Sequence, residues 1–149
     1  MKNIELKSLA EYFGTQLPAG KIADRETRIA IVRLYGSLAK ANKEVADEIE
    51  QNRKSLVEGH EEEIQKYAEL LRKGDEASVK EAEAMTECVR IDKDFQEASA
   101  KIYDEECNAD IKKVPLEVLY EALCDCKFPN LKPEIPIAVV EEIFKSIIL

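Results

Sequence analysis

The chain has 149 residues, 45% of them hydrophobic, which suits one core-bearing domain with or without a helical extension. Its net charge of −9 has the wrong sign for a nonspecific nucleic-acid binder, so direct contact with DNA or RNA is not expected. No apolar run reaches the roughly 18 residues needed to cross a bilayer, and Met1 to Leu6 lacks the apolar centre of a secretion signal. The sequence therefore predicts a cytoplasmic chain, off the membrane, with Cys88, Cys107, Cys124 and Cys126 as reduced thiols.

Ile4, Leu6, Leu9, Tyr12 and Phe13 make a short amphipathic segment, predicted to end at Gly14 through a positive φ. Leu17-Pro18-Ala19-Gly20 reads as a turn. Asp24 is a good N-cap for a long helix. Ile31, Tyr35, Leu38, Val45, Ile49 and Leu56 recur at alternating steps of three and four, with Asn42 and Asn52 filling two seam positions, and the stripe resumes, shifted in register, at His60, Ile64, Tyr67 and Leu71. This pattern predicts one helix over 24–72, about 70 Å long at about 1.5 Å per residue. Gly59 sits at the register shift as a kink; two helices broken there are the alternative. Ile29 to Leu38 is apolar on more than one face and is expected to be covered from at least two sides, whereas the remainder carries a single seam.

Lys73-Gly74-Asp75 is the clearest break: a cation at a helix end, a glycine for the left-handed position and a cap for the next helix. That next helix is predicted over 75–107, with Met85, Cys88, Ile91, Phe95, Ala98 and Ile102 as its stripe. Two heptad-patterned helices joined by a short turn predict an antiparallel hairpin. Asn108 to Val114 reads as extended or loop. Pro115 opens a helix over 115–126, Phe128 to Pro136 is a proline-broken linker, and a last helix spans 136–149. The expected fold is all-α: a long, coiled-coil-like antiparallel hairpin with a small helical head built from the N- and C-terminal segments.

Chemistry-bearing residues are few. His60 is the only histidine, lies at a seam position and is read as structural. Cys124-x-Cys126 is too close for the usual zinc knuckle. Glu44, Asp47 and Glu48, or Glu83 and Glu87, have the helical spacing by which an all-helical nucleotide pyrophosphohydrolase holds Mg²⁺, although carboxylates so placed are more often a solvated face. There is no phosphate loop, Gly-rich nucleotide turn or nucleophile elbow, so neither catalytic residue nor cofactor is assigned. The charge is uneven. Residues 1–74 balance, whereas 75–110 carry four basic and twelve acidic residues. Glu81, Glu83, Glu87, Asp92, Asp94, Glu97, Asp104, Glu105 and Glu106 form a candidate acidic face for a basic partner, with solubility as the plainer explanation.

The run Phe95-Gln96-Glu97-Ala98, the acidic turn Asp104-Glu105-Glu106 and the segment Ile111-Lys112-Lys113-Val114-Pro115-Leu116-Glu117-Val118-Leu119 resemble the small all-helical proteins of tailed phages and prophages. The likeness spans residues 24–149 in layout and mainly 95–119 in pattern, and it carries no catalytic residues. It implies an assembly role. Together with the single seam of the long helix, it points to a non-enzymatic protein–protein interaction or assembly protein with another protein as partner, and to a homodimer that covers the seam. Two other readings are an acidic inhibitor that mimics nucleic acid and blocks a host defence protein, and the Mg²⁺-dependent pyrophosphohydrolase.

Overall fold

A computed structural model describes residues 1–126 and 137–149; the linker Phe128 to Pro136 falls outside the described residues. The protein is all-α. Seven helices occur among the described residues: α1 Asn3–Thr15, α2 Arg25–Val57, α3 Glu61–Lys73, α4 Glu76–Ala84, α5 Thr86–Asp104, α6 Leu116–Asp125 and α7 Ile137–Phe144. Single 3₁₀ turns lie at Ala19–Lys21 and Lys145–Ile147. No described helix is long and apolar enough to cross a membrane. The chain groups into two compact units, Met1–Glu44 with Glu105–Leu149, and Val45–Asp104.

In the first unit the helices bury residues spaced three and four apart. α1 contributes Leu6, Leu9, Ala10 and Phe13; the start of α2 contributes Ile31, Leu34, Leu38 and Ala41; α6 contributes Leu119, Ala122 and Leu123; α7 contributes Val140 and Phe144. Leu6, Leu34, Leu38 and Leu119 are fully shielded from solvent. Tyr12, Phe13 and Phe144 meet in edge-to-face and tilted contacts with centroids 5.3 to 6.2 Å apart. Short backbone pairings fasten the ends. Asn3 N–H donates to Glu105 O at 2.9 Å and Cys107 N–H to Met1 O at 2.8 Å. Val114 N–H donates to Ile147 O and Leu149 N–H to Val114 O, both at 3.0 Å. The start of α2 is capped as expected, Thr27 N–H donating to Asp24 Oδ2 at 2.8 Å, and Asp125 Oδ2 accepts from Ala23 N–H at 2.9 Å.

In the second unit the later part of α2 buries Val45 and Val57, α3 buries Leu70, α4 buries Ala82, and α5 buries Cys88, Ile91 and Ile102. The break at Lys73-Gly74-Asp75 is where the sequence places it. Gly74 takes φ +71°, and Asp75 accepts from Ser78 through its backbone N–H at 3.0 Å and its hydroxyl at 2.7 Å.

Several boundaries differ from expectation. The helix expected over 24–72 stops at Val57. Gly59 adopts φ +82°, His60 N–H closes the turn on Val57 O at 2.8 Å, and α3 restarts at Glu61. Three successive glutamates, Glu61 to Glu63, then occupy the first turn of α3, where the positive end of the helix dipole favours them. The helix expected over 75–107 is two, divided at Met85 (φ −80°, ψ 72°), and ends at Asp104. The break separates the Ala82 face of α4, fully buried where α4 meets α3, from the Cys88–Ile91 stripe of α5. Gly14 does not end α1, which continues to Thr15; a Cβ there would lie 3.1 Å from the Tyr35 hydroxyl oxygen, so this glycine serves close approach. The final helix expected over 136–149 closes at Phe144. On α2, Ile31, Leu34 and Leu38 are covered, but Val32 and Tyr35 remain 52% and 39% exposed, so the second side expected to be covered is open.

Candidate interaction groove

Four of the candidate acidic residues on α4 and α5, Glu81, Glu87, Asp94 and Glu97, already have cations. Glu81 lies 3.7 Å from Lys66 Nζ, and Glu97 lies 4.0 Å from Lys93 Nζ. Arg90 donates to both oxygens of Glu87, at 3.0 and 3.3 Å, and to Asp94 at 3.2 Å. The Arg90 hydrogen bonds hold the Glu87 carboxyl below its usual range. Glu105 and Glu106 belong to the first unit, where Glu106 accepts from the Met1 ammonium at 3.0 Å. Asp104 is exposed at the end of α5. Only Glu83 and Asp92, of the candidate residues on α4 and α5, have neither a hydrogen bond nor an ion pair among the described residues.

The other candidates are dispersed. Glu44, Asp47, Glu48, Glu83 and Glu87 are all exposed, and among the described residues no three His, Cys, Asp or Glu side chains gather as metal ligands. His60 precedes α3 with Nδ1 3.4 Å from Glu63 Oε2. All four cysteines are free thiols: Cys88 and Cys126 are buried, Cys107 is half-buried and Cys124 is exposed. Burial pushes the Cys88 and Cys126 thiols up from their ordinary value.

What the second unit does gather is an apolar groove of about 230 Å³. Leu56 from α2, Ile64, Tyr67 and Leu71 from α3, and Ile91 and Phe95 from α5 line it. Their heptad-like spacing turns them to one side of each helix. Leu71 stays 42% exposed, so the seam is not closed by its neighbours. Arg53 and Asp92 stand at its rim. Arg53 is engaged by Glu50 in a two-pronged pair at 2.7 and 2.9 Å. Asp92 is half-buried and unpaired among the described residues. Burial raises the Tyr67 hydroxyl above its ordinary value, and the nearby charges of Asp92 and Glu83 add to this.

The sequence names Leu56, Ile64, Tyr67, Leu71, Ile91 and Phe95 as seam positions, but not Val57 and Ala68, which also line the groove, nor their shared exposure. It places Asp92 in an acidic row rather than at an apolar rim; its position directly after Ile91 and three before Phe95, on the flank of the stripe, was the available signal. The structure is that of an all-helical protein with an open, mostly apolar groove among its described residues. Comparison with protein-family models, curated proteins and solved structures gives no match to this chain.

Proposed function

We propose that this chain is a non-enzymatic protein–protein interaction or assembly protein. The groove between α2, α3 and α5 carries the reading: a contiguous, mostly apolar surface with a single unpaired carboxylate at its edge favours burial against another protein. The phage or prophage setting rests on the sequence resemblance over residues 95–119. The nucleic-acid-mimic reading loses ground because Lys66, Arg90 and Lys93 already neutralise much of the acidic row.

Tagged wild-type chain and Leu71→Glu should be compared as baits in lysate of the source cell. Leu71 is 42% exposed, so a glutamate there is tolerated by the fold but sets a charge in the groove. A protein retained by the wild type and lost by the variant supports the reading. Identical recovery by both baits overturns it.

A further inference from the structure

The occupant of the groove can be named from the rest of the chain, and the argument rests on the interaction reading above. α2 shows two faces in the first unit. Ile31, Leu34 and Leu38 point into the core, while Val32 lies exposed away from it and Tyr35, one turn on from Ile31, lies partly exposed at the edge of the core. Arg33 and Lys40 flank that exposed stripe at helical spacing. Neither forms a hydrogen bond or ion pair among the described residues. From Arg25 to Lys43 the helix carries five cations and one carboxylate, Glu26. The groove presents the converse pattern: an apolar trough edged by the unpaired carboxylate of Asp92, with the unpaired Glu83 outside the lining but near enough to act on the Tyr67 hydroxyl.

We propose that the groove of one copy receives the exposed Val32–Tyr35 stripe of α2 from a second copy, with Arg33 and Lys40 meeting Asp92 and Glu83. Each surface satisfies what the other leaves open, so the chain carries both halves of its own interface. The other exposed apolar stripe, Val139 and Ile143 on α7, fits poorly, because Glu141 and Glu142 beside it would face Asp92. Tyr35 is prepared for the role: its ring rests on Gly14, which holds it across the helix surface before docking.

Sedimentation equilibrium of the full chain, from low to high micromolar concentration and at two salt levels, tests this. The wild type should self-associate, more weakly at high salt. Asp92→Lys alone and Arg33→Glu with Lys40→Glu should each weaken association by about tenfold or more, since like charges then face each other. An equimolar mixture of the two variants should recover wild-type association, because the cation introduced in one copy then meets the carboxylates introduced in the other. Circular dichroism of each variant separates loss of association from loss of fold. A chain that stays monomeric throughout, or a mixture that associates no better than its components, overturns the self-docking proposal. If that monomeric chain still loses a lysate protein on Leu71→Glu, the interaction reading survives and the occupant is a different protein.

Discussion

The Tyr35 ring lies across Gly14, with the site of a missing Cβ 3.1 Å from its hydroxyl oxygen and 3.2 Å from its Cε2. Two effects oppose each other there. Alanine within a helix gains about 1 kcal/mol over glycine, but the new methyl must displace the ring. Gly14→Ala should therefore change stability little in the wild type and stabilise the Tyr35→Ala background by nearly the full propensity gain. Urea unfolding of the four proteins of this cycle measures the coupling. Equal effects in both backgrounds would show that the ring exerts no pressure on Gly14.

Gly59 is held at φ +82° between α2 and α3. An L-residue there is strained by about 1 kcal/mol, so Gly59→Ala should destabilise by about that amount. No side chain occupies the space a Cβ would enter, so the loss is backbone strain alone. Asparagine, which tolerates this region better, should cost less than alanine in the same denaturation experiment. A stabilised Gly59→Ala would mean that the chain prefers a continuous helix through this point.

How much of the fold was legible depends on how many signals coincide. At Lys73-Gly74-Asp75 a terminal cation, a left-handed glycine and a cap agree, and the boundary falls where they say. At Gly59 the apolar stripe continues on both sides, and periodicity argues for one helix. The opposing signal was the Glu61–Glu63 run, which suits a first turn. Nothing local marks Met85, which is neither glycine nor proline; its break falls between Ala82, buried where α4 meets α3, and the Cys88–Ile91 stripe of α5. The groove was illegible for a different reason. Spacing identifies Ile64, Tyr67 and Leu71 as one apolar stripe, but whether another element covers it is a tertiary fact.

Core and groove leucines should separate cleanly in stability. Leu34 is fully buried and should lose about 3 kcal/mol on conversion to alanine. Leu71, 42% exposed, should lose about 1 kcal/mol or less. Matched thermal and urea unfolding checks both. A large loss at Leu71 would mean that the groove is closed in solution.

The cysteines should label in order of exposure. Cys124, exposed on α6, should react first with a thiol reagent, followed by the half-buried Cys107. Cys88 and Cys126 should stay protected until the chain unfolds, since burial both blocks access and disfavours the thiolate. Mass spectrometry of timed alkylation gives the sequence of events. Early labelling of Cys126 would mean that the end of α6 opens in the native state.

Asp75 makes acid sensitivity assignable to one cap. Its hydrogen bonds from the Ser78 hydroxyl and backbone N–H hold its carboxyl below the ordinary value, so the folded state favours the ionised form. A group whose pKa is depressed by folding stabilises above its unfolded pKa, and that contribution is lost as pH falls through the folded value. Asp75→Ala should accordingly lower Tm near neutral pH, and the gap between variant and wild type should narrow as pH drops below about 4. Asp24, capped onto Thr27 in the same way, should behave alike in the first unit. Asp75→Asn retains an acceptor without the charge, so it should lose less than alanine near neutral pH and show a flatter pH profile. A gap between Asp75→Ala and wild type that is constant with pH would show that packing, not the ionised cap, sets the effect.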